Sequence, residues 1–308
     1  MITKDSLKED FRNLGVKEGD TLFLRISYKA VGKIEGGPMV FLKALHEVIG
    51  ENGTIILTAF PDLHTKQYFF FHKKIFTSKE NPAKPRTGIL PVFALAYPDA
   101  KISEKLEFPF VVIGKQAGYL TTMHTHEKDP YWLLEEAIEK FGCKCLRVGG
   151  KEFTGSTHIA LTRVLLKTGN YQKKTCKGIY AKEGGKIKWY DVKGSFFCYN
   201  AFLSKSKNYV WNHVNRLESK VGNGDGVLTD MHETLYYEEK YMNNDIHNLL
   251  CDDPNCFTCR ISYSFSDDTK WNFFFREFSE LFIANKRKDA LMNLYNLAIN
   301  ILYGQIQR

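Results

Sequence analysis

The sequence predicts an α/β layered fold that gives way to a mainly helical C-terminal region. Three observations carry this. Two short apolar runs, residues 21–24 and 54–57, flank a glycine-rich loop and an amphipathic segment, which is the order of a βαβ unit. Further strand candidates follow at 110–113, 145–148 and 187–190. Beyond about residue 205 the composition shifts and helical patterns dominate.

Each element has a local reason. Residues 6–14 read as a short helix that Gly15 and Gly19 end. Gly32 and Gly36-Gly37-Pro38 form a loop after the first strand. The next helix carries Val40, Leu42, Ala44, Leu45 and Val48 on one apolar stripe, with Gly50 as its stop. Residues 62–87 are aromatic, basic and irregular, and a loop that long usually covers a site. Residues 89–97, 132–141 and 158–166 read as helices. Past the shift, 208–221 and 233–250 read as helices, then a cysteine-rich turn, then 271–307 as largely helical. The expected organisation is a core over 1–205 and a helical region over 206–308 packed on it.

The chain has 308 residues, with 44% hydrophobic and 25% charged residues, an ordinary globular balance. That excludes a disordered tail, a fibre and a small disulfide scaffold. No apolar run reaches membrane-spanning length. The N-terminus has no apolar core of a secretory signal, so a cytoplasmic location is expected. The net charge of +8 is scattered and forms no basic arm with interleaved aromatics, so a nucleic-acid partner is not expected. The same balance suits a neutral or anionic small molecule better than a polycation. The oligomeric state stays open, a homo-oligomer included.

Seven cysteines in such a chain read as thiols or metal ligands, not a disulfide framework. Cys251, Cys256 and Cys259 give the sharpest local spacing, with His247 four residues upstream. Four such N/S ligands can close a zinc site; the alternative is three thiols on a turn around Pro254. No G-x-G-x-x-G follows a strand, and no P-loop motif occurs. Gly222-Asn223-Gly224-Asp225-Gly226 resembles a calcium loop only superficially, because the flanking ligand positions would be Val221 and His232.

His124-Thr125-His126 either points two imidazoles to one side of a strand or forms a polar loop before Asp129-Pro130. His158 stands out by its setting. It follows the strand end Val148-Gly149-Gly150 and a loop of Thr154, Gly155, Ser156 and Thr157. Thr157 is a candidate cap for the helix that His158 opens. Ligands of α/β sheets sit beyond the C-terminal strand ends, where a neutral His can take a proton from an amine. The alternative is a His that hydrogen-bonds a loop.

Taken in order, these segments resemble the aminoglycoside 3-N-acetyltransferase family from about Leu14 to Gly194. Leu14-Gly15-Val16-x-x-Gly19-Asp20 matches the family opening, and Ser27-x4-Gly32-x3-Gly36-Gly37 its S…G…GG loop. Gly53-Thr54, the stretch Pro85-Arg86-Thr87-Gly88-Ile89-Leu90, Ser103 and Gly114-x-x-Ala117 match later segments. Thr154 to His158 resembles the T-x-x-H-x-x-E box with its Thr one place out of frame. The resemblance implies a layered sandwich, a central mixed sheet flanked by helices. It also implies acetyl-CoA as co-substrate and a small-molecule amine as acceptor, in particular the primary amine of an amino sugar; the net charge adds a nucleotide-linked amino sugar to that class. Ser27, Gly32, Gly36, Gly37, Arg86 and Thr87 are then the candidate CoA-binding residues. His158 is the catalytic candidate, and His124 and Asp191 are candidates for acceptor binding.

The chain departs from the family pattern at named places. Leu161 stands where the family has its Glu, Lys105 where it has a His, Pro109 where it has a Ser, and Arg25-Ile26-Ser27 replaces His-Ser-Ser. Glu152, Glu127 and Asp191 are candidate replacements for the missing carboxylate. Two other readings stay open: a non-catalytic binding or scaffold subunit, and altered chemistry with another donor or a metal at the C-terminal thiols.

Overall fold

A computed structural model describes residues 1–63, 76–77, 84–150, 154–169, 178–192, 206–261 and 269–305. Most of the aromatic loop, including Tyr68-Phe69-Phe70-Phe71, lies outside the described residues, as do Glu152, Cys176 and Cys198.

Helix α1 (Lys4–Asn13) starts on a capping box between Thr3 and Ser6. Strand β1 (Thr21–Ile26), the short α2 (Tyr28–Val31), α3 (Pro38–Ile49) and β2 (Thr54–Thr58) complete the expected βαβ unit. Pro38 opens α3 at a position that needs no N–H donor. Then come β3 (Phe76–Thr77), α4 (Ile89–Ala94), β4 (Lys101–Ile102), β5 (Phe110–Gly114), α5 (Ala117–Met123), α6 (Trp132–Phe141) and β6 (Lys144–Val148). Helix α7 (Thr157–Lys167) and the hairpin β7 (Gly178–Glu183) and β8 (Lys186–Asp191) follow. The C-terminal part holds α8 (Lys207–Trp211), β9 (Arg216–Val221), β10 (Gly224–Asp230), α9 (Met231–Asn244), a 3-10 turn (Ile246–Leu249), α10 (Phe257–Ile261), α11 (Lys270–Glu280) and α12 (Arg287–Gln305).

The main sheet is mixed, in the order β4-β5-β2-β1-β6-β10-β9, with β1 parallel to both β2 and β6. The outer pairs are antiparallel. A smaller sheet runs β3-β7-β8. β1 is central and covered on both faces, which explains its unbroken apolar run. Its side chains alternate: Leu22 and Leu24 join the core under α1 and α3, while Phe23 joins the core under α6, α7 and α9. The layered sandwich is therefore the observed architecture, and the C-terminal part is mostly helical as expected.

One expectation is corrected. The stretch 208–221 is not one helix: α8 ends at Trp211 and β9 follows. β9 is an edge strand with exposed Arg216, Glu218 and Lys220, and charges of that kind blunt an edge while imitating a polar helix. β9 and β10 lie in the same sheet as β1, and Leu235 and Met242 of α9 share a core with Phe23, so the main sheet continues past residue 205. The calcium-like glycine run is the β9–β10 hairpin, with Val221 paired to Gly224 around a two-residue turn. Among the described residues no helix is long and apolar enough to cross a membrane.

Candidate active site

Parallel β1, β2 and β6 end side by side, and a cleft of about 370 Å³ opens beyond their C-terminal ends. β1 supplies Leu24, Arg25 and Ile26 and then Ser27; β2 supplies Leu57 and Thr58. Gly149 and Gly150 follow β6, and Thr87, Leu90 and Pro91 close the opposite wall. The Ser27 N–H donates to the Val148 carbonyl at 2.9 Å, which ties the two strand ends together. Gly149 has φ +59, and a Cβ there would sit 2.3 Å from the Ala30 Cβ, so only glycine lets the turn pass α2.

Of the six candidate CoA residues, Ser27 and Thr87 line this cleft. The Thr87 hydroxyl donates to the Thr58 carbonyl at 2.6 Å and fixes that wall. Gly32, Gly36 and Gly37 lie outside the lining. Gly32 backs onto Asn223 of the hairpin turn, and Gly37 precedes the N-terminus of α3. Arg86 also lies outside it, exposed and paired with Asp62 at 3.2 Å.

His158 is the second residue of α7. Its ring stacks on Tyr131 with centroids 4.3 Å apart and planes 7° from parallel. Burial, and then the positive charge of Arg25, push its pKa down to about 3. The ring is therefore neutral from mild acid upward. Arg25 lines the cleft and its charge reaches His158, which itself lies outside the cleft lining.

The loop before His158 is held by a buried carboxylate. Glu238 of α9 accepts hydrogen bonds from Thr157 at 2.7 Å, from Ser156 at 2.5 Å and from Thr154. Ser156 also lies 2.9 Å from the Thr234 hydroxyl. Thr157 therefore spends its hydroxyl on Glu238; Ser156 occupies the cap position, without a side-chain cap bond. Gly155, at φ +89, sits where a Cβ would press on Phe23, Cys145 and Met231 at 3.1–3.3 Å. Burial pushes the Glu238 pKa up to about 7, against the lowering effect of the three hydroxyls.

Like His158, the other candidates lie apart from the cleft lining. His124 is fully buried, edge-on to Phe110 and parallel to Trp132, with Nε2 3.3 Å from the Asp129 carbonyl. Asp191 ends β8 in the smaller sheet, paired with Gly178. Glu127 is exposed, and Leu161 is core. Lys105, in the family's His position, is fully buried: its ammonium lies 2.6 Å from Glu107 and donates to the His126 and Lys128 carbonyls at 3.1 Å. His126 Nδ1 lies 2.7 Å from the same Glu107 oxygen. The sulfurs of Cys251, Cys256 and Cys259 lie within 4.8 Å of one another, and His247 does not join that group.

The family model for aminoglycoside 3-N-acetyltransferases matches residues 23–243, from β1 to the end of α9. This chain belongs to that family. A Bacillus subtilis (strain 168) relative, the SPbeta prophage-derived aminoglycoside N(3')-acetyltransferase-like protein YokD, is 26% identical over 269 residues, covering 80% of this chain and 95% of that one. The crystal structure of aminoglycoside acetyltransferase AAC(3)-IVa, apoenzyme, superposes with a TM-score of 0.67 at 20% identity, over 85% of this chain and 97% of that one. AAC-IIIb solved with CoASH superposes at 0.64 and 18% identity, over 79% of this chain and 96% of that one. As a member of the aminoglycoside 3-N-acetyltransferase family, the chain is an N-acetyltransferase that moves the acetyl group of acetyl-CoA to an amine. Sequence reasoning did not single out Arg25 on the cleft wall, Tyr131 stacked on His158, or Glu238 under the loop before it. Arg25 had a signal, since it directly precedes Ile26-Ser27 in the family loop.

Proposed function

We propose that this chain acetylates the primary amine of an amino-sugar acceptor, with His158 handling the amine's proton. The observation that supports it is the cleft at the parallel strand ends, lined by Arg25, whose charge reaches a His158 that burial keeps neutral. The pantetheine arm lies against the strand ends, where Ser27, Thr87 and the backbone of Gly149-Gly150 offer hydrogen bonds. Arg86 stands at the rim, able to exchange Asp62 for a CoA phosphate. The amine nitrogen bonds to the thioester carbon, the C–S bond breaks, and the amine's proton passes by way of His158 Nε2 or Nδ1 to the CoA sulfur. Tyr131 holds the imidazole plane by stacking, and the Glu238 network holds the residues that precede it.

The acceptor class follows from two considerations. The relatives' names carry aminoglycosides, which are built from amino sugars. A net charge of +8 and an arginine on the cleft wall favour an acceptor of low positive charge, a nucleotide-linked amino sugar included. Calorimetric titration with acetyl-CoA tests the donor site, with micromolar binding expected. CoA release is then measured against an aminoglycoside and a nucleotide-linked amino sugar. Turnover with either supports the reading. No binding at millimolar acetyl-CoA, or no CoA release with any amine, returns the chain to a scaffold role.

A further inference from the structure

We propose that Cys251, Cys256 and Cys259 bind one zinc ion as three thiolates, in a site separate from the acetyl-transfer cleft. The three sulfurs already lie within 4.8 Å of one another. Around a tetrahedral zinc with Zn–S bonds of about 2.3 Å, sulfurs stand roughly 3.8 Å apart, so closure needs small side-chain adjustments only. Soft thiolate ligands select zinc over magnesium or calcium.

The surroundings suit a metal-bound thiolate cluster. The Cys251 N–H donates to the Cys259 sulfur at 3.2 Å, the kind of bond that orients and tunes a metal-bound thiolate. Arg260 donates to the Cys251 carbonyl at 2.7 Å and to the Asp253 carbonyl at 3.2 Å. That guanidinium pins the turn and places a positive charge beside the one negative charge that a zinc ion leaves on three thiolates. Asp253 Oδ1 accepts from the Asn255 N–H at 2.9 Å, which shapes the turn between the first two cysteines. Cys251 and Cys259 are buried and Cys256 is half-buried, so the metal is shielded on one side and its fourth position is left to solvent.

The position gives the site a structural task. Cys251 and Cys259 belong to the core that also holds Leu161, Leu235 and Phe23. Asn293 of α12 reaches across to donate to the Asn255 carbonyl at 3.3 Å and to Glu277 of α11 at 2.9 Å. Zinc there ties the turn that carries α11 and α12 to the acetyltransferase core, and binding energy at such a site is folding energy.

The test is zinc content by plasma mass spectrometry on the full chain purified without added metal. About one equivalent per chain is expected, falling below a tenth in Cys256→Ser. Cobalt(II) exchanged into the wild-type chain should give thiolate-to-metal charge-transfer absorption in the near ultraviolet. Chelator should lower the melting temperature of the wild-type chain and leave Cys256→Ser unmoved. If that variant does not fold, the cobalt spectrum of the wild-type chain decides alone. Less than a tenth of an equivalent of zinc together with no cobalt–thiolate band overturns the proposal, as does recovery of two of these cysteines as a disulfide.

Discussion

Glu238 and Thr157 lie 81 residues apart in the chain and 2.7 Å apart in the fold. The carboxylate belongs to α9, and the threonine is the residue before His158. Three hydroxyls converge on one buried acid, so α9 sets the position of the loop that presents the imidazole. In the family the carboxylate stands three residues after the histidine; in this chain Leu161 fills that place with core packing.

Glu238→Gln should change how stability responds to pH. The folded pKa is raised to about 7, above the ordinary 4.5, so the protonated acid's contribution is full below about pH 4.5 and lost as pH rises through 7. The loss is at most about 3 kcal/mol, a shift of several degrees in melting temperature. Gln cannot ionise, so the variant should melt progressively higher than wild type from pH 5 to pH 8. Identical melting curves across that range would refute a titrating Glu238. As a positioning residue, Glu238 should affect kcat more than the KM for acetyl-CoA.

His158→Ala should lower turnover about a hundredfold or more, the scale of a lost general base. Acetyl-CoA affinity should stay within a few fold, because Ser27, Thr87 and Gly149 line the cleft without it. The variant also loses the ring stacked on Tyr131, a contact worth about 1 kcal/mol. Retained turnover in a folded variant removes His158 from the chemistry.

The local elements were legible because each is written in a short stretch. β1 and β2 are continuous apolar runs, and α3 lies between glycines with Pro38 at its first turn. β9 was hidden because an edge strand carries its charges outward, as a solvated helix does. His158 stood out in the sequence from its place after a strand end, and the structure puts it at the second position of α7. Glu238 was not, since a polar residue within a helical pattern reads as surface until the tertiary packing buries it. The burial of His124 was equally hidden: a histidine in a polar-looking stretch proves to be core, wedged between Phe110 and Trp132.

Lys105→Met should destabilise the fold by about 3–5 kcal/mol, the cost of stranding one partner of a buried ion pair. The ammonium is the group that meets Glu107 at 2.6 Å where both side chains are fully buried. Burial pushes the Glu107 pKa up, but His126 and Lys105 outweigh it and hold the carboxyl below its usual range. Lys105→Met with Glu107→Gln should recover part of the loss, since no uncompensated charge then remains. Chemical denaturation of both variants checks this, and a single variant as stable as wild type would show that the pair carries no such cost.

His124 should make the protein acid-sensitive in a window that Glu238 partly masks. Its pKa is pushed down to about 4, by burial first and then by the charge of Lys105. A depressed histidine contributes stability that is full above the unfolded value of about 6.5 and lost as pH falls through 4, at roughly 1.4 kcal/mol per pH unit between them. His158 acts with the same sign. Glu238 acts with the opposite sign between about 4.5 and 7, so its protonation offsets part of the loss. Removing that offset in Glu238→Gln should therefore steepen the fall in stability from pH 6.5 to pH 4.5. Adding His124→Gln should flatten it again, provided the double variant folds at pH 8. Denaturant midpoints measured at half-unit pH intervals separate the two residues. A Glu238→Gln profile no steeper than wild type would mean that the two groups do not oppose each other.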